Sequence, residues 1–145
     1  MDAHFYGRRG YVVAIQDCRG RFASEGRWVP FFNESLDGYD TVEWLAAQPW
    51  SNGKVGMVGG SYVGWVQLWA AVARPPHLVT IIPNVAPPDP FYNIPYEYGT
   101  FFIYGAIWWA EILESQATGD LSGKAISRIG ERRYEKILKR LPVIE

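Results

Sequence analysis

The segment Gly59-Gly60-Ser61-Tyr62-Val63-Gly64 constrains this chain more than any other. Before it stands Lys54 to Gly59 (KVGMVG), a short apolar run that follows the turn signal Asn52-Gly53, and the pattern predicts a strand. After it, residues 62–73 (YVGWVQLWAAVA) are apolar almost all round, which predicts a buried helix broken by Pro75-Pro76. A chain that passes from strand to helix within so few residues must turn sharply, and small neighbours let the backbone do so. A serine on such a turn is held out at the carboxyl end of a sheet, with its hydroxyl exposed for attack on a carbonyl carbon. The N–H of Tyr62, at the helix N-terminus, then points toward the oxyanion of an acyl intermediate. The pattern departs from G-x-S-x-G, because position 63 is valine and the last glycine has slipped to Gly64. A Gly-Ser turn that only closes a strand–helix unit carries the same letters. The strand–turn–helix context is what favours a nucleophile.

The flanking pattern extends this unit. Residues 11–15 (YVVAI) form a β-branched run that predicts another buried strand, and Leu78 to Ile82 (LVTII) predicts a third, closed by Pro83. Asp37-Gly38-Tyr39-Asp40 is expected to open a helix with a carboxylate as cap, burying Tyr39, Val42, Leu45 and Ala46 and ending at Pro49. Strands and helices that alternate with short returns mean βαβ units and a parallel sheet, hence an α/β fold. The expected organisation is a core over residues 1–83 and a second region over 84–145. The second region holds an irregular excursion at 84–99, an aromatic-rich helix at 100–116 and an amphipathic helix at 124–141. Residues 17–36 are a connection longer than loops usually are without a task.

Composition narrows the function classes. With 48% apolar residues and a net charge of -1, the chain is not a disordered polar polymer, and it lacks the basic surplus of a nonspecific nucleic-acid binder. One cysteine allows no intrachain disulfide, and two histidines without metal-ligand spacing argue against a metal site. No organic cofactor is implied either, since GGSYVG lacks dinucleotide spacing and Gly53-Lys54 is followed by valine. No signal peptide is visible, so a cytoplasmic location is the default, and no apolar stretch approaches the roughly 20 residues of a membrane span.

Three longer words carry a resemblance: RGYVVAIQDCRGRFASEG, DGYDTVEWLAAQPWSNGKVGMVGGSYVGW and PPHL. Over roughly residues 5 to 112 the chain resembles the cocaine-esterase and X-prolyl dipeptidyl-peptidase group of α/β-hydrolases, which includes α-amino acid ester hydrolases and glutaryl-cephalosporin acylases. The resemblance implies a partial α/β-hydrolase fold followed by the start of a helical cap. It implies that Ser61 is the acyl nucleophile, that the Tyr62 backbone N–H is one oxyanion donor, and that the substrate is a small acyl ester or peptide-like amide. In that family a second donor is a tyrosine hydroxyl on an earlier loop. FYGRRGY matches the end of the helix after that loop, so Tyr6 is not that donor. The family's aspartate and histidine follow far downstream, so the chain is expected to lack both, to be truncated at each end and to be nearly inactive alone. The runner-up reading is a catalytically incomplete module that works through association, with a second copy or with a partner carrying the C-terminal part.

The remaining candidates admit two readings each. Trp108, Trp109, Phe101, Phe102 and Tyr104 fall where the family places its cap, as pocket lining or as cap core. Asp17, at the end of the first expected strand, either touches substrate or orders the loop that follows. Arg19 and Arg21 either bind a carboxylate or brace that loop, and Asp89 and Glu97 either read a substrate amine or serve in turns. Cys18 reads as a buried small hydrophobe. His77 falls in the return at the opposite end of the sheet from Ser61, and His4 precedes the first strand, so neither is placed as the base.

Overall fold

The computed structural model describes residues 3–118 and Lys139. The chain divides into two units, Met1–Pro88 and Asp89–Glu145. The first holds α1 (Ala3–Gly7), α2 (Glu34–Ala46), β1 (Val55–Gly60), α3 (Tyr62–Val72) and β2 (Leu78–Asn84). The second holds a short antiparallel hairpin, β3 (Tyr96–Glu97) and β4 (Thr100–Phe101), followed by α4 (Ile103–Thr118). The helix expected over 124–141 lies outside the described residues.

β1 and β2 pair in parallel, with Gly56 opposite Thr80 and Gly60 opposite Asn84. α3 is the crossover between them, so β1–α3–β2 is a βαβ unit of the kind that α/β folds are built from. β2 runs through Pro83 instead of stopping there. The Ser61 N–H donates to the Asn84 carbonyl at 2.8 Å, so Asn84 faces β1 and, by strand alternation, Pro83 faces away. A proline on that side forfeits no ladder bond.

Each of the two long helices buries one stripe, and the helices approach closely where Ala70 meets Gly38. On α2 the buried positions are Glu34, Gly38 and Val42, and on α3 they are Gly64, Gln67 and Ala70. Ala70 lies so close to Gly38 that a side chain there would stand 2.7 Å from its Cβ. The stripe on α2 is therefore rotated from the expected Tyr39, Val42, Leu45, Ala46 face, because Ala70 of α3 approaches the 34/38/42 line at Gly38. α2 also begins three residues earlier than Asp37, with Asn33 at its N-cap.

Two further expectations are corrected. Residues 11–15 form no strand: Tyr11, Val12 and Ile15 are exposed and the run has no ladder partner among the described residues. β-branched residues favour an extended backbone, but pairing is what makes a strand. α3, expected to be a buried helix, exposes Val63, Trp69 and Val72, since its neighbours enclose completely only the 64/67/70 stripe.

Candidate active site

Ser61 stands between the last residue of β1 and the first of α3, with φ 58° and ψ -128°. That is left-handed backbone in a residue with a Cβ, which costs on the order of 1–3 kcal/mol and persists only where the surroundings enforce it. The surroundings are visible. A side chain at Gly59 would stand 2.6 Å from Val63 Cγ1, and one at Gly64 would stand 2.9 Å from the Asn84 carbonyl oxygen and 2.7 Å from Ala86 Cβ. The slipped glycine is thereby explained. The first turn of α3 is pressed against the end of β2 at position 64, while position 63 leans on Gly59, where valine fits because glycine faces it.

Ser61 is exposed, and its side chain does not cap its own helix. Its carbonyl accepts from Gly64 N at 2.9 Å and Trp65 N at 3.1 Å, which starts α3 at once. The Tyr62 amide lies at the N-terminus of that helix, the positive end of its dipole. Gln67, fully buried, ties the turn to both strands. Its Nε2 donates to the Gly59 carbonyl at 3.2 Å and to the Val63 carbonyl at 3.0 Å, while its Oε1 accepts from Ile82 N at 2.9 Å.

The side chain of Tyr62 enters a wall formed by residues 28–34. Its ring packs against Phe31, 4.8 Å between centroids, and Phe31 in turn meets Trp65 edge-on at 5.4 Å. Its hydroxyl donates to Glu34 Oε1 and accepts from Trp28 Nε1 at 3.2 Å and Phe31 N at 3.3 Å. Burial, and then the bond to the Glu34 carboxylate, hold the phenol well above its usual ionisation range. Glu34 is only 6% exposed, and its second oxygen accepts from Asn33 N at 3.1 Å. Sequence reasoning passed over Glu34, Trp28 and Gln67. A glutamate at the head of a helix normally reads as a dipole partner in solvent, and no spacing rule links residue 34 to residue 62.

The other candidates fall as follows. The Asp17 carboxylate accepts from Ala23 N at 3.3 Å and its carbonyl from Ser24 Oγ at 2.8 Å, so Asp17 orders its own loop. It also lines a polar pocket with Gln16, Arg19, Asp37 and Thr41. Arg19 makes a two-point contact with Asp37, Nε to Oδ2 at 2.9 Å, and so braces the loop to α2. The Arg21 guanidinium lies 4.9 Å from the Trp28 ring centre. Cys18 is half-buried, and burial, followed by the charges of Glu34 and Asp17, raises its thiol pKa, the opposite of what a nucleophilic cysteine needs. His77 pairs with Glu43, Nδ1 to Oε2 at 2.7 Å, and its carbonyl accepts from Val55 N, at the start of β1. Ser61 follows the end of that strand, so the two are roughly 20 Å apart by strand rise. His4 is exposed on α1. Phe101 lies in β4 and Trp108 and Trp109 in α4, all in the second unit. Among the described residues there is no group of ligands suited to a metal ion, and no helix is long and apolar enough to cross a membrane.

A strained serine on the bend between a parallel strand and its crossover helix is the signature of α/β-hydrolase-like proteins. The chain belongs to the X-Pro dipeptidyl-peptidase (S15) family, which it matches over residues 2–141. It is 37% identical over 123 residues to the cocaine esterase of Rhodococcus sp. (strain MB1 Bresler), an alignment covering 83% of this chain and 21% of that one. It is 30% identical over 119 residues to a protein of Mycobacterium bovis named "Putative serine esterase", and equally to one of that name from Mycobacterium tuberculosis, covering 79% of this chain and 19% of each. The chain thus spans about a fifth of the length of these curated relatives.

Proposed function

We propose that this chain carries the nucleophile of a serine hydrolase that cleaves acyl esters or amides. Ser61 Oγ attacks the carbonyl carbon, its proton passes to a general base, and the acyl carbon–heteroatom bond breaks as the leaving group takes up a proton. Water then releases the acid from acyl-Ser61. The Tyr62 N–H, at the positive end of α3, stabilises the oxyanion in both steps. The observation that carries the reading is the backbone of Ser61, which is strained, exposed and enforced by glycines on both sides. Family membership supports a hydrolase, and the relatives' names favour esters.

His77 stands at the start of β1, the far end of that strand from this serine, so the general base in this reading is a group other than His77. The second reading, a catalytically incomplete module that acts through association with another chain, remains distinct from this one. The family resemblance alone extends the substrate side to Phe101, Trp108 and Trp109.

A fluorophosphonate probe tests this. The complete protein encoded by the reading frame is expected to label at Ser61, and its Ser61→Ala form not to label. The 145-residue chain alone is expected to react slower by on the order of a thousandfold or more, since a serine without its base loses most of its reactivity. Labelling of the complete protein at another residue overturns the assignment.

A further inference from the structure

The hydroxyl of Tyr62 has one proton to give and two lone pairs to share, and all three are used, toward Glu34, Trp28 and Phe31. Burying a carboxylate is expensive unless it is well partnered. A glutamate placed only to suit the dipole of α2 would have been as useful in water. Here it is turned inward, away from solvent, and aimed at the residue that follows Ser61. The peptide between Ser61 and Tyr62 leaves directly from the strained serine and carries the amide assigned to the oxyanion. Holding the far end of the Tyr62 ring limits rotation of that peptide.

We infer that Glu34 is a positioning residue for acyl transfer: through the Tyr62 hydroxyl, its buried carboxylate fixes the Ser61–Tyr62 peptide and with it the directions of the Ser61 side chain and the Tyr62 N–H. This rests on the reading of Ser61 as nucleophile. The loop of residues 17–33 gains a task as well, since Trp28 and Phe31 complete the same clamp. A small tilt of a donor or nucleophile lowers the rate of the chemical step and leaves substrate affinity largely unchanged.

The test uses the complete protein, a fluorophosphonate and p-nitrophenyl acetate. Tyr62→Phe is expected to label fully at Ser61 with a second-order rate constant roughly ten- to a hundredfold below the parent's. Glu34→Gln, whose amide oxygen still accepts from the tyrosine, is expected to fall between the two. With the ester, kcat falls while KM stays within about twofold. The double variant Glu34→Leu with Tyr62→Phe leaves no buried carboxylate unpaired, so it is read in the same way should a single variant fail to fold. Parent-like rate constants overturn the inference, as does a loss seen only as a smaller labelled fraction. A parent protein that does not label at Ser61 removes the nucleophile reading itself, a result distinct from either.

Discussion

At the scale of single residues, the site depends on what two glycines leave out. At Gly64 the obstructing atoms include two backbone carbonyls, of Asn84 and Gly59, beside the Ala86 Cβ, whereas at Gly59 they are all side-chain atoms, of Val63 and Gln67. Gly64→Ala is therefore expected to cost about 1–3 kcal/mol in urea denaturation, and Gly59→Ala less. Equal losses would mean that the end of β2 yields as readily as a side chain. Tyr62 makes a second prediction. Its phenol keeps its proton to higher pH in the folded chain than in the unfolded one, whose value is near 10. Above that pH the folded state binds more protons, so the contribution is full below about 10 and declines as pH rises further. Tyr62→Phe should flatten the alkaline fall of stability relative to the parent above about pH 10, and unchanged slopes there would refute the buried hydrogen bond. The bend at Ser61 was legible from its neighbours because a tight turn restricts local residue types. Glu34 was not, since nothing local to it predicts a partner 28 positions away.

At the scale of elements, Gln67 shows how a polar residue comes to rest inside an apolar helix. It is fully buried with every side-chain polar atom bonded, and it links the end of β1 to β2 through α3. Gln67→Leu fills the same space but strands the Ile82 N–H and the bond to Gly59, at about 1–3 kcal/mol for each buried group left unpaired. An unchanged denaturation midpoint would show that these bonds are not needed. β1, α3 and β2 were readable because their apolar runs sit between strong punctuation, Asn52-Gly53, Pro75-Pro76 and the serine turn. The run at 11–15 carries the same kind of letters and forms no strand, because a strand needs a neighbour as well as a propensity. The rotated stripe on α2 has a similar cause. Several of its faces hold apolar residues, and the one that is buried is the one α3 can approach closely.

At the scale of the whole molecule, the described residues bury few apolar side chains completely. Val42 and Ala70 are fully enclosed, while Tyr11, Ile15, Phe32 and Val72 are each at least 66% exposed. Exposed apolar surface on this scale associates. The 145-residue chain on its own is expected to sediment as dimers or larger species, and a monodisperse monomer with a sharp melt would count against that. The sequence alone determined the βαβ unit and the serine bend at its end, since both follow from short-range rules: apolar periodicity, turn residues and the room that glycine leaves. Only the tertiary structure decided that Glu34 lies buried against Tyr62, that Gln67 joins two strands, and that residues 11–15 join no ladder among the described residues. Those outcomes depend on which surfaces meet across long stretches of chain, and no local pattern encodes such meetings.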